Sequence, residues 1–304
     1  MITKPHSTPS FFSSLSDMLN QSHPLYKLAD KIDWTKFDTA FAPLYCQNNG
    51  RPAKPIRLMC GLLILKHLRN LSDESVVEQW SENAYYQYFC GMQEFIPNAP
   101  CASSELVHFR NRIGEKGVEL IFRESIRVNN EDDDGHHHDT IIRSATGIIL
   151  GAQSFRNEYD GHTIEASLAQ VERLTQRKIK ILAGDRGYRG KKEVNGTQIL
   201  IPDVPKPSDS RYQKRKKHKL FCKRAGIEPT IGHLKSDHRL GRNFYRGLAG
   251  DAVNILLAAA AYNFKRAMRV LLNLLKRIGE MLNERASMNE FSLSNAFLSD
   301  DYIS

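Results

Sequence analysis

Several common commitments are missing from this sequence. Its 304 residues hold five cysteines, Cys46, Cys60, Cys90, Cys101 and Cys222, and no two of them form a CxxC pair. Scattered thiols without metal-ligand spacing predict free, mostly buried cysteines of a reducing compartment, which excludes a disulfide or zinc-finger framework. Long uncharged apolar runs are also absent. The best approximation, residues 252–275, is interrupted by Asn254, Asn263, Lys265, Arg266 and Arg269, whereas a membrane span needs about 20 mostly apolar residues. That segment reads as a buried helix. Residues 1–16 hold no apolar core of signal-peptide length, so a cytoplasmic protein is expected. There is no G-x-x-x-x-G-K-[ST] loop, which removes P-loop nucleotide chemistry. Acids are in deficit, 34 against 43 Lys and Arg, for a net charge of +9. Such an excess favours polyanions or anionic membrane surfaces as partners. With 41% hydrophobic and 25% charged residues the chain folds, as one large domain or two ordinary ones.

In the N-terminal third, short helical patterns alternate with polar turns. Pro55 opens IRLMCGLLILKHLRNL, whose apolar residues cover most of the helical circumference, as in the middle of a bundle. Ser72 caps DESVVEQWSENAYYQYF, where Val76, Val77, Trp80, Ala84, Tyr85 and Tyr88 recur at helical spacing. After the proline-marked IPNAPCASS come ELVHFRNRIG and a further helix from Lys116 on. An all-α unit over residues 1–128 follows. It is either a scaffold or dimerisation bundle or a DNA-end-binding unit, in which case Arg110 and Arg112 are the contacts. Residues 129–138, NNEDDDGHHH, match no pattern and are followed by Asp139. Consecutive residues cannot all face one ion, and structural zinc sites use spaced ligands, so an exposed acidic turn is favoured over a histidine metal site.

Beyond this junction (residues 129–146) the periodicity turns to strands. TIIRSATGIILGAQSF places two apolar segments about a Thr146-Gly147 turn and predicts a β-hairpin. Thr163 caps a helix with Ile164, Leu168, Val171 and Leu174 as its buried stripe. KIKILAGD and TQILIP are strands, the second preceded by an Asn195-Gly196 turn. Strand, helix, strand implies a mixed sheet covered by helices. Residues 208–224 hold Arg211, Lys214, Arg215, Lys216, Lys217, Lys219, Lys223 and Arg224, either a solvated surface or a track for backbone phosphates. A helix over 251–285 and a loose tail over 286–304 complete the chain.

Asp185 ends an apolar strand and is followed by Gly187 and Gly190, at the edge where ligands of α/β sheets gather. Arg224, Glu228 and Lys235 are spaced four and seven apart, so one continuous helix would align them on one face, a carboxylate between two cations. Pro229 opposes this, because proline prefers the first helical turn; a helix starting there leaves Arg224 in the preceding segment. Carboxylates from separate elements beside a basic surface suit Mg2+-assisted displacement at phosphorus, since magnesium takes hard oxygen ligands and a few suffice.

GAQSFRNEYDGHT, DRGYRG, EPTIGHLKSDHRLGRNF and GDAVNILLAAAAYNFKR, in that order, resemble the C-terminal half of the DDE-type transposases of bacterial insertion sequences, close to the insertion-sequence family five group. RPAKPIRLMCGLLILKHLRNLSDE and FRNRIGEKG are similar to that family's helical leader. The resemblance implies an RNase H-like mixed-sheet core over residues 147–285, Mg2+ (or Mn2+) as cofactor, and double-stranded DNA of element ends and target as partner. It further implies a nucleoid-associated location and homo-oligomers. Its second and third acidic residues fall on Asp185 and Glu228. Its Y-x2-R-x3-E-x6-K signature stands here as Phe221, Arg224, Glu228 and Lys235. Arg189, Lys214, Arg215, Lys216, Lys217, Lys219, Arg224, Lys235, Arg239 and Arg242 are its DNA-binding candidates. One segment departs from the family. Members carry a long stretch with the first catalytic Asp on a central strand, whereas here Val128 runs through NNEDDDGHHHDTIIRSATG into the later strand. This predicts an internal deletion and an α+β fold whose core lacks its first strands. Asp139 stands in for the first carboxylate or only flanks the junction. The expectation is therefore an impaired transposase or, alternatively, a catalytically silent DNA-binding remnant that acts as an inhibitor.

Overall fold

The computed structural model describes residues 14–45, 52–129, 137–138, 141–144, 146–154, 160–184, 192–201, 206–241, 245 and 247–299; for 137, 138, 141, 160–162, 220, 221, 223, 224, 247, 248 and 284–299 it describes the backbone alone. Helices α1 (Leu15–Met18), α2 (Pro24–Lys31), α3 (Trp34–Phe41), α4 (Ile56–Leu68), α5 (Asp73–Glu82), α6 (Ala84–Phe89) and α7 (Ser103–Asn129) come first. As its apolar circumference predicts, α4 is central, and every residue from Leu58 to Leu68 is buried. Ser72 caps α5, its hydroxyl accepting the Ser75 N–H at 3.0 Å. The expected single helix after it is two, because Asn83 leaves helical geometry and caps α6 by accepting the Tyr86 N–H at 3.1 Å. In α7 the break falls at Gly114, with φ of +58°, a conformation that glycine adopts without penalty.

Strands β1 (His137–His138), β2 (Ile141–Ser144) and β3 (Ile149–Ala152) form one antiparallel sheet in the order β1-β2-β3. The predicted hairpin is β2–β3, turning through Gly147 at φ +95°. After α8 (Asp160–Thr175) come β4 (Ile181–Ala183), β5 (Glu193–Val194) and β6 (Thr197–Leu200), in the order β4-β6-β5 with β4 and β6 parallel. Positive φ at both Asn195 and Gly196 makes the tight turn between β5 and β6, as primed hairpin turns require. Two expectations are corrected here. A two-residue β1 pairs His137 with Ser144 and His138 with Arg143, inside the stretch read as an acidic turn. And α8 begins at Asp160, so Thr163 is a buried residue inside the helix instead of its cap. The stripe Ile164, Leu168, Val171 and Leu174 is buried as expected. The two sheets are separate ladders, and β1 comes within 8 Å of β4 between Cα atoms.

The last elements are α9 (Arg211–Ala225), α10 (Ile227–Asp237) and α11 (Gly247–Ser299). Helix α11 continues to Ser299, through the segment expected to be a loose tail. Its first half threads the molecule, packing against α7, α4, α2 and β3. Ala258, Ala259, Ala260 and Ala261 are all buried and let neighbouring backbones approach closely. From Val270 on the reading of a buried helix fails: Val270, Leu274, Ile278, Met281 and Leu282 are exposed. One continuous apolar core runs from Leu25 through α4, α7, β3 and α8 to Ala267.

Two amide side chains close the outer edge of β3. Asn263, fully buried in α11, accepts the Ile149 N–H at 2.9 Å and donates to the Ile149 carbonyl at 2.8 Å. It also donates to the Ser125 hydroxyl of α7 at 3.2 Å. Gln170 of α8 does the same for Ala152, at 2.9 and 3.1 Å. An edge strand presents unpaired backbone groups, and buried groups left unpaired cost about 1–3 kcal/mol each. Asn263→Ala is therefore expected to lower the unfolding free energy by about 3 kcal/mol. Urea denaturation checks this; a decrease under about 1 kcal/mol would show that the edge is satisfied some other way.

Candidate nucleic-acid interface

Helix α9 carries no acid, and Arg211, Lys214, Arg215, Lys216 and Lys219 are exposed. Lys217 is half-buried and paired with Asp209 at 2.8 Å. Even Tyr212 is 75% exposed, and among the described residues α9 packs chiefly on α10. A helix that is polar all round gains little from tertiary packing, and like charges one turn apart repel. A polyanion laid along it would offset both. The chain turns at Gly226, so α9 and α10 are separate helices. Arg224 stands on α9, and Glu228 and Lys235 stand on α10. Glu228 occupies the first turn of α10, where the helix dipole favours a negative charge, and Pro229 follows it within that turn. Glu228 and Lys235 share an exposed face two turns apart.

The remaining candidates divide. Asp139, Asp185, Arg189 and Arg242 lie outside the described residues, as does the side chain of Arg224. Arg239 is half-buried beyond α10 and donates to the Asn70 carbonyl at 3.5 Å, toward the N-terminal helices. Arg110 does not stand on the surface. It is buried, lies 3.6 Å from the Asp73 carboxylate and stacks 4.1 Å over the Tyr245 ring. Arg112 is exposed and lies over Tyr45 at 4.4 Å. Among the described residues no group of three His, Cys, Asp or Glu is arranged to hold a metal.

Sequence reasoning missed a basic cleft on the other side of α10. An open cleft of about 290 Å³ is lined by Gly226, Thr230, His233 and Asp237, by Arg143 of β2, and by Lys265, Arg266 and Arg269 of α11. Those three cations were noticed in the sequence only as interruptions of a membrane span; their spacing within NFKRAMR was the available signal. Asp237 is held down to about pKa 2 by the Ser236 hydroxyl and then by Lys265 and His233.

Next to the cleft a buried polar junction ties this region to the N-terminal helices. The rings of His67 and His238 each donate from Nδ1 to the other's carbonyl, at 3.4 and 3.0 Å. The Tyr245 hydroxyl lies 3.4 Å from His67 Nε2 and accepts from Lys66 at 3.3 Å. Lys66 is also paired with Asp73 at 2.7 Å.

Two family models match in succession along the chain. A transposase domain (DUF772) covers residues 13–112, and a transposase DDE domain covers residues 129–264. The chain belongs to the DDE-type transposases. In this family member the first match ends inside α7, two residues before its break at Gly114, and the second runs from the last residue of α7 to the Asn263 region of α11. A relative of Rhizobium meliloti, named uncharacterized protein ORF8 in nfe locus, is 44% identical over 116 residues. That alignment takes in 38% of this chain and 56% of the relative, so the chain spans little more than half of its length. No solved structure matches. No helix among the described residues is long and apolar enough to cross a membrane.

The junction predicts a pH dependence. Burial holds His67 well below the ordinary value of 6.5 and brings His238 down to about 4. The unfolded chain therefore takes up protons near pH 6.5 that the folded chain refuses. Stability is present in full above about pH 6.5 and falls as the pH drops from there toward 4. His238 accounts for about 3 kcal/mol of that decrease. Urea midpoints should be flat from pH 8 to 7 and decline down to pH 4.5, and His238→Asn should shallow the decline.

Proposed function

We propose that this chain acts on the DNA ends of an insertion-sequence element, of the family five group, by Mg2+-dependent phosphodiester cleavage and strand transfer. Asp185 and Glu228 hold the metal, with Asp139 as the third carboxylate on an RNase H-like core. The observation that carries this reading is the neighbouring of β1 and β4. Asp139 follows β1 directly in sequence and Asp185 follows β4 after Gly184. If the two sheets are taken as one, β1 and β4 are its central strands, where the family resemblance expects the first carboxylate. The donors fit a hard divalent cation: all three are carboxylates, and Glu228 stands exposed in the first turn of α10 rather than locked in a core. Bound there, Mg2+ would activate the attacking oxygen and stabilise the leaving one.

The protein's own part is to bind and hold the strand. Lys214, Arg215, Lys216 and Lys219 on α9 meet backbone phosphates, joined by Arg224 and Lys235, while Arg189 and Arg242 extend the basic track. Such contacts set affinity and register without reading bases. A β1 of two residues supplies little pairing to position a ligand, so cleavage is expected to be slow, as an internal deletion would cause. The same observation supports the second reading, a remnant that grips element ends without cutting. Assembly with further copies of the chain belongs to either version.

Cleavage of duplex carrying the element's own ends, in Mg2+, separates the two readings. Asp185→Ala or Glu228→Gln should lower it about 100-fold or more, corresponding to several kcal/mol of transition-state stabilisation, with DNA affinity retained. Equal binding without cleavage in wild type and variants would leave the remnant. Replacing Lys214, Lys216 and Lys219 together with Gln should reduce the salt dependence of duplex binding by about 0.9 in log–log slope for each phosphate no longer neutralised. An unchanged slope would remove α9 from the interface.

A further inference from the structure

The cleft between α10, β2 and α11 contains more positive charge than its own residues can balance. Asp237 is the acid in its lining. That carboxylate is already engaged, by the Ser236 hydroxyl at 2.7 Å, His233 Nδ1 at 3.2 Å and Lys265 Nζ at 3.2 Å. Three guanidinium groups remain. Arg143 donates from Nη1 to the Gly226 carbonyl at 2.9 Å, but its Nε is buried and has no partner among the described residues. Arg266 and Arg269 have no acidic partner among the described residues. Two of the three converge. A β-carbon placed on Gly147 would stand 2.8 Å from Arg143 Nη2 and 3.3 Å from Arg266 Nη1. The hairpin turn thus carries a glycine where any side chain would crowd both guanidiniums. Like charges drawn to one point repel unless an anion lies between them, and an unpaired buried donor carries its own cost.

From this we infer that the cleft is an oxyanion site of phosphate type, held by Arg143, Arg266 and Arg269. Guanidinium forks match tetrahedral oxyanions through paired N–H donors. A volume of about 290 Å³ admits a phosphate with part of its ester, and is small for a drug-sized ligand. The site is separate from the proposed metal face. Thr230, His233 and Asp237 line the cleft, and at 100° per residue they point to the opposite side of α10 from Glu228 and Lys235. A DNA strand held on α9 and α10 is one source of the anion, and that version rests on the function proposed above; free phosphate is the other.

The full chain is tested by thermal unfolding in sodium phosphate against sodium chloride of equal ionic strength, and by anisotropy of a labelled duplex. Phosphate should raise Tm saturably by several degrees, as ligand binding to the folded state does. Arg266→Gln should abolish the shift while leaving Tm in chloride near wild type. Arg269→Gln, at an exposed position, serves if the first variant folds poorly. Duplex binding about tenfold weaker in the variant, with the salt slope lower by about one, assigns the site to a DNA phosphate. An abolished phosphate shift with unchanged duplex binding supports the site and assigns it to free oxyanion. Absence of duplex binding in the wild type defeats the DNA reading and leaves the phosphate result standing. No phosphate shift in the wild type, or an equal shift in the variants, overturns the site.

Discussion

Asn263 joins three parts of the molecule through one side chain. Its amide occupies both backbone groups of Ile149 on β3 and reaches the Ser125 hydroxyl on α7, while its own carbonyl accepts from Asn129 at 3.0 Å. A buried amide can satisfy an edge strand only if the helix carrying it sits at one height and one rotation. Fixing α11 against β3 therefore fixes where Lys265 and Arg266 emerge, two and three residues further on, and so the wall of the basic cleft. Gln170 repeats the device from α8. Together they let a small sheet end inside the protein without another strand.

The same economy explains how a core with so little sheet remains closed. β1 and β4 contribute two and three residues, too few to stabilise a layer alone. Burial is supplied by helices instead: the alanine run of α11 brings α7, α4 and β3 into one apolar core. The reciprocal pairing of His67 and His238 then adds a polar seam between the helical leader and the segment after α10. Polar groups buried this way favour one docking over others, provided that each is satisfied. Here each ring donates to the other residue's carbonyl, and burial disfavours the charged form of both imidazoles.

Charge is segregated with comparable care. Two basic surfaces adjoin α10: the helix α9 that precedes it, and the Arg143, Arg266 and Arg269 cleft. The first is exposed and open along its length, suited to a long polyanion. The second is concave and converges on a point, suited to a single anionic group. The first is legible in sequence as a run of cations, whereas the second is assembled from β2 and α11, 123 positions apart between Arg143 and Arg266.

What the sequence by itself determined was local and periodic. It specified the buried α4, the Ser72 cap, the hairpin at Gly147, the turn at Asn195-Gly196 and the stripe of α8, because spacing and turn chemistry act over a few residues, and its motifs carried the resemblance to the transposase family. Tertiary structure decided what depends on distant partners. It buried Arg110 against Asp73 and Tyr245, gave Asn263 and Gln170 to the open edge of β3, and put Arg224 and Glu228 on successive helices. It also drew His137 and His138 into a strand, since a strand exists only once a partner supplies its hydrogen bonds, and that partner is β2, beyond the reach of local pattern.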